Sequence, residues 1–79
     1  MSPAHQPSIE DIEVQLLLEA VFLRYHYDFR HYARASIKRR LMQARIHFGV
    51  PNITALQERI LHDPAMMGHM LSFLTVQVS

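Results

Sequence analysis

The chain of 79 residues contains no cysteine and only two glycines. Without cysteine, the fold uses neither disulfide bonds nor thiolate metal ligands, which is compatible with a reducing compartment. Two glycines are too few for a phosphate-binding loop or a dinucleotide-binding turn. No serine, threonine or histidine lies in a recognisable nucleophile motif. The chain therefore has no self-contained active site, and we assign it no catalytic residue.

Long hydrophobic runs are also missing. The longest are a few residues, as at Leu16–Leu18, whereas a membrane-spanning helix needs about 20 apolar residues. The first seven residues lack the basic start and apolar core of a signal peptide. With 49% hydrophobic and 19% charged residues, the composition is typical of one globular domain. We expect a cytoplasmic domain of marginal stability, because a chain of this size buries only about 60% of its unfolded surface.

Acidic residues are scarce in the middle of the chain. Seven basic residues lie between Arg24 and Arg45, with only Asp28 as an acid among them. The rest of the chain has one basic residue, Arg59, and six acids. The net charge of +1 thus hides a basic centre between acidic ends. Such asymmetry carries information about binding partners rather than about the fold.

Hydrophobic periodicity predicts an all-α fold, a compact bundle of four short helices. The first helix is predicted over about 9–26, after an N-cap at Ser8. Its predicted packing residues recur with helical spacing and are Ile9, Ile12, Leu16, Leu17, Ala20 and Leu23. The second helix is predicted over about 34–48 and ends at Gly49, a left-handed C-cap followed by Pro51. Its apolar stripe consists of Ile37, Leu41, Ala44 and Phe48.

Two shorter helices follow. A helix over about 54–61 is predicted to begin with a cap at Thr54. Another, over about 64–73, starts with Asp63 as N-cap and Pro64 at the first helical position. Between the first two helices, the aromatic and polar residues of 27–30 alternate, which predicts an extended connection whose aromatic rings pack into the core.

The two chain ends differ from the helical segment of 9–74. Residues 1–8 contain prolines and no apolar pattern, and we predict a disordered tail. Residues 75–79 alternate β-branched and polar side chains, which is typical of an extended segment. We interpret them as the start of a linker or strand leading to a further domain, since a natural chain seldom stops where a strand begins.

Histidine and methionine patterns were weighed for chemistry. The six histidines do not show the spacing of a metal site, which requires pairs three or four residues apart on one helix with a third ligand nearby. We therefore predict no metal site. Met66, Met67 and Met70 are compatible with an adaptable binding surface, but core packing is the favoured interpretation.

The second helix is the strongest local signal of function. Arg34, Lys38 and Arg45 share one side of it, and Arg39 and Arg40 flank them. None of these five residues has an acid four positions away with which to pair. A solvated basic face is the simplest interpretation. An acidic partner is the alternative, since unpaired positive charges repel one another.

These residues also occur in a recognisable order. Residues 27–32, YDFRHY, followed by 36–41, SIKRRL, resemble the pattern near the start of CheR-type chemoreceptor methyltransferases. The helix start at Asp63-Pro64 and the final segment 73–79, FLTVQVS, are also similar to that family. The resemblance extends from about residue 12 to residue 79.

The resemblance implies a role in a two-domain enzyme. CheR enzymes transfer a methyl group from S-adenosylmethionine to glutamates on bacterial chemoreceptors. A small helical domain precedes a Rossmann-like methyltransferase domain and helps to cover the cofactor. By position, Gln77 and Ser79 fall where the family places an asparagine and a threonine beside the cofactor. The basic helix is expected to meet the acidic receptor helices through Arg34, Lys38, Arg39, Arg40 and Arg45.

Two alternatives remain open at this point. The basic helix is also compatible with a nucleic-acid-binding module, but it has no asparagine and only one glutamine, Gln43, for reading bases. A purely structural bundle with a solvated basic face is the other. In every case we expect that the chain alone neither binds S-adenosylmethionine tightly nor catalyses a reaction.

Overall fold

The computed structural model describes residues 7–75, and within them the chain is entirely helical between short connections. The four helices are α1 (Ile9–Tyr25), α2 (Arg34–Phe48), α3 (Ile53–His62) and α4 (Pro64–Leu74). The all-α bundle predicted from the sequence is therefore confirmed. Residues 1–6 and 76–79, which hold most of the predicted tail and linker, lie outside the described residues. No helix of residues 7–75 is long and apolar enough to cross a membrane.

Local signals start and end most of these helices. The Ser8 side chain accepts a hydrogen bond from the backbone N–H of Asp11 at 3.1 Å, and Asp63 accepts from Ala65 and Met66. Gly49 ends α2 in the left-handed conformation, with φ of 71°, which glycine adopts without a steric penalty. His26 ends α1 in the same region, with φ of 66°.

The predicted start of α3 is wrong by one residue, and so is its cap. The side chain of Asn52, not Thr54, accepts the hydrogen bond from the N–H of Ala55, at 2.7 Å. Asn52 has the extended backbone of an N-cap, with φ of −160°. Thr54 lies inside the first turn, where its hydroxyl donates instead to Glu13 of α1 at 2.5 Å. Both signals are short polar residues, and only the backbone conformation distinguishes them.

Helix α3 lies at the centre of the bundle, in contact with each of the other three helices, whereas α1 and α4 do not contact one another. All side chains fully buried in residues 7–75 are apolar. They are Val14, Leu17, Leu18, Val21, Phe29, Ile37, Leu41, Ala44, Val50, Ile53, Leu56, Ile60, Met66, Met67, Met70 and Leu74. The three methionines of α4 therefore belong to the core, as favoured from the sequence.

The predicted packing face of α1 is largely wrong. Only Leu17 of the six predicted residues is buried, together with Val14, Leu18 and Val21. Ile9, Ile12, Leu16 and Leu23 are exposed and Ala20 is half-buried. The error has a physical origin, since α1 has apolar residues on two nearly opposite sides and periodicity alone selects neither.

The connection between α1 and α2 buries one of its aromatic rings. Phe29 is buried, whereas Tyr27 and Tyr32 are exposed. The rings still form a contact series, with Tyr27 and Tyr32 on either side of Phe29 at centroid distances of 6.4 and 5.2 Å. The prediction that these aromatics enter the core thus holds for Phe29 alone.

Candidate functional site

Helix α2 presents the candidate site, because its five arginine and lysine residues are accompanied by no acid on the same helix. The helix starts at Ala33, whose side chain provides no capping hydrogen bond, and its first turn contains Arg34 and no acid. A cation at this end is unfavourable for the helix dipole, whereas Arg45 in the last turn is favourable. The position of Arg34 is therefore not explained by helix stability.

Lys38 is paired, contrary to the pattern predicted from its own helix. Its Nζ lies 2.8 Å from Oδ1 of Asp11 and 3.8 Å from Oε1 of Glu10. The pair joins the middle of α2 to the first turn of α1. The hydrogen bond from Lys38 lowers the pKa of Asp11, and the same hydrogen bond raises the pKa of Lys38. No sequence signal identifies this pair, because its members lie 27 positions apart.

Arg40 and Arg45 bind backbone carbonyl groups. Arg40 Nη1 donates to the carbonyl of Leu74 at 3.2 Å, which ties α2 to the end of α4. Arg45 Nη1 donates to the carbonyls of Val50 and Pro51, at 3.0 and 3.3 Å. The Nε of Arg45 is buried without a hydrogen-bond partner in the described part of the chain. Both guanidinium groups thus hold neighbouring segments in place while they keep their charge.

Arg34 and Arg39 are the exposed cations of α2. Neither makes a hydrogen bond or ion pair with any of residues 7–75. They lie five positions apart, which corresponds to about 140° around a helix, so they do not form one stripe. The face predicted as unpaired therefore divides into two free cations, one ion-paired lysine and two arginines bound to carbonyls.

A second basic residue lies in a satisfied cluster outside α2. Arg30 pairs with Asp28 at 3.0 Å and Glu19 at 3.2 Å, and its guanidinium lies 4.0 Å from the centroid of the Phe22 ring. The hydrogen bonds from the Arg30 side chain lower the pKa of Asp28 to about 2. This cluster fixes the α1–α2 connection to α1, so Arg30 is not available to an acidic ligand.

Long-range contacts that the sequence did not indicate hold α1 against α3. The hydroxyl of Tyr25 donates to the carbonyl of Ile60 at 2.5 Å, and Arg24 Nε donates to the carbonyl of Leu61 at 3.4 Å. Arg24 also lies 4.7 Å from the Tyr25 ring centroid. These contacts set the position of α1, and with it the position of the acids that hold Lys38.

The described residues offer no evident place for a metal or cofactor. Within residues 7–75, no three histidine, aspartate or glutamate side chains converge in a metal-binding group. Their buried side chains are all apolar, whereas a bound S-adenosylmethionine needs polar groups that converge on a pocket. Residues 7–75 therefore do not by themselves fit this cofactor. Gln77 and Ser79 lie outside the described residues.

Comparison with known proteins adds two findings. Residues 12–75 match the family model of the CheR methyltransferase, all-alpha domain. The chain is also 54% identical over 69 residues to a protein of Pseudomonas putida (strain KT2440) named "Putative methyltransferase Cher3". The match covers 87% of this chain and 25% of that relative, so the chain spans about a quarter of the relative's length. No solved structure matches the chain significantly.

Proposed function

Because this chain belongs to the CheR methyltransferase all-alpha domain family, we propose that it is the substrate-recognition and lid domain of a methyltransferase that modifies glutamates on chemoreceptors. The complete enzyme would use S-adenosylmethionine and act in chemotaxis signalling in the cytoplasm. Its partners would be the cytoplasmic helices of a receptor and a methyltransferase domain of its own. The relative's name supports the methyltransferase class.

The observation that carries this proposal is the charge of α2. The helix contains five arginine and lysine residues and no acid. A receptor segment that is methylated on glutamates presents carboxylates on a helical surface. A positive helix attracts such a surface and accelerates its association through electrostatic steering. The receptor-binding set is Arg34, Lys38, Arg39, Arg40 and Arg45.

The contacts of these residues suggest different roles within the set. Arg34 and Arg39 are exposed and have no partner in residues 7–75, so they bind receptor carboxylates without first losing another interaction. Lys38 would exchange Asp11 or Glu10 for a substrate carboxylate. Arg40 and Arg45, which hold backbone carbonyls, contribute positive potential and keep α2 in place.

The role of the cofactor is also a proposal. The family supports S-adenosylmethionine as the methyl donor in the complete enzyme, with Gln77 and Ser79 at the position nearest to it. Since residues 7–75 bury no polar side chain, the 79-residue chain should bind the cofactor weakly or not at all. Isothermal titration calorimetry tests this expectation, and micromolar binding to the chain would contradict it.

The binding surface is tested by following backbone amide shifts of the chain in NMR titrations. One ligand is a synthetic receptor helix rich in glutamate, and the other is duplex DNA of the same total charge. The proposal predicts shifts along α2, centred on Arg34 and Arg39, with the receptor helix. Shifts with DNA alone would instead support a nucleic-acid-binding module, and the absence of shifts with both would support a purely structural bundle.

A further inference from the structure

The outer face of α1 carries an apolar stripe. Its members are Ile9, Ile12, Leu16 and Leu23, with exposed fractions of 76%, 45%, 53% and 73%. Steps of three, four and seven residues place them within about 60° around the helix and along about 21 Å of its axis. This is the spacing of a seam between two helices packed side by side. Nothing in residues 7–75 covers the stripe.

The stripe is not a misplaced part of the core. The buried residues of α1, including Leu17 and Val21, lie on nearly the opposite side of the helix, against the rest of the bundle. Exposed apolar residues that occur singly are normal on protein surfaces. A continuous row over four turns of one helix is unusual and marks an interaction surface.

Acidic residues border the stripe. Glu13 and Glu19 lie on its two sides along α1. Glu58 lies on α3 one turn after Thr54, the residue that contacts Glu13. Glu19 already pairs with Arg30, whereas Glu13 and Glu58 face no cation among residues 7–75. The stripe therefore has an apolar centre and an acidic border.

We propose that the stripe of α1 binds an amphipathic helix of another protein, with an apolar seam bordered by lysine or arginine. The partner's seam would cover Ile12, Leu16 and Leu23, and its basic border would face Glu13 and Glu58. Helix-in-groove recognition of this kind uses anchors at the same spacing as the stripe. The charge pattern selects the partner, because like charges across an interface are unfavourable.

The acidic border disfavours the other occupants. A second copy bound through the same stripe would bring Glu13 and Glu19 of both copies close together. A pairing of this stripe with the basic α2 of a second copy would be heterologous, and would leave free surfaces at both ends. An anionic membrane would be repelled by the same carboxylates.

Two synthetic helical peptides of about 20 residues test the proposal on the 79-residue chain. Both have a leucine seam, which is bordered by lysine in one peptide and by glutamate in the other. Fluorescence anisotropy should show binding of the lysine peptide alone, with amide shifts confined to α1 and the facing side of α3. The double variant L16Q/L23Q should weaken binding by at least about tenfold.

The variant I46Q is the matched control, because Ile46 is also exposed, at 67%, but lies on α2. It should leave the affinity unchanged, and far-UV circular dichroism should show that every variant keeps its helices. Equal binding of both peptides, or binding unaffected by L16Q/L23Q, would overturn the proposal. So would a dimer in sedimentation analysis, or binding to phosphatidylglycerol vesicles, if either is lost in L16Q/L23Q.

Discussion

The ammonium group of Lys38 lies 2.8 Å from the carboxylate of Asp11, so that the first turn of α1 neutralises the middle of α2. Both side chains are partly exposed, and solvent screens the interaction. The pair therefore contributes little to stability. Its importance is that an internal carboxylate occupies a cation that we propose for binding an external one.

Substitution of Asp11 should reveal this competition. In D11N, Lys38 loses its closest partner, so the affinity for the glutamate-rich receptor helix should increase by a few-fold at low salt. The melting temperature should decrease only slightly, because the pair is exposed. Isothermal titration calorimetry and thermal melts measure the two quantities. Weaker receptor binding in D11N would show that Asp11 assists recognition instead of competing with it.

The cluster of Asp28 and Arg30 predicts a dependence on pH. The folded pKa of Asp28 is lowered to about 2 by its hydrogen bonds with Arg30, against an ordinary value of about 3.9. Its contribution to stability is therefore complete above about pH 4 and is lost as the pH falls towards 2. Carboxyl carbon NMR should detect the low pKa in the native chain and an ordinary pKa in R30Q. An unchanged pKa in R30Q, or an equal change in R59Q, would contradict this cause.

The neighbouring residues Leu16 and Leu17 test which side of α1 is buried. Leu17 is fully buried, whereas Leu16 belongs to the exposed stripe. L17A should lower the free energy of unfolding by about 2–5 kcal/mol, which includes the cost of the cavity. L16A should lower it by less than about 0.5 kcal/mol. Urea denaturation followed by circular dichroism compares the two variants. If L16A were the more destabilising, the orientation of α1 would be wrong.

The start of α3 provides a similar pair. N52A removes the side chain that caps the helix and should cost about 1 kcal/mol in the free energy of unfolding. T54V keeps the size of the side chain but removes the hydroxyl that donates to Glu13. It should cost less, because an exposed neutral hydrogen bond contributes only about 0.5–1.5 kcal/mol before solvent competes for it. A larger loss in T54V, measured by the same urea denaturation, would restore Thr54 as the cap.

These pairs show which parts of the fold could be predicted from the sequence. Helix ends with strong local chemistry, such as Gly49 before Pro51 and Asp63 before Pro64, were predicted within about one residue. The cap of α3 was missed because Asn52 and Thr54 are both acceptable caps. The buried side of α1 was missed because both sides are apolar, and only packing against α3 selects between them.

The candidate site shows the same division. The basic composition of α2 is visible in the sequence, but the partners of its cations are not. Asp11 precedes Lys38 by 27 positions, and the carbonyl of Leu74 follows Arg40 by 34. Such partners depend on how the helices are placed in three dimensions. The sequence therefore identified the helix, whereas the structure distinguished the free cations, Arg34 and Arg39, from those already bound.

The affinity of the double variant R34Q/R39Q for the glutamate-rich receptor helix tests the proposed role of α2 most directly. Neither side chain has a partner in residues 7–75, so the variant should fold as the native chain does. R59Q is the matched control, since Arg59 is an exposed cation of α3. We predict that R34Q/R39Q weakens binding by about tenfold or more and reduces its salt dependence, whereas R59Q changes neither. Equal affinities for R34Q/R39Q, R59Q and the native chain would contradict the assignment of α2 as the receptor-facing helix.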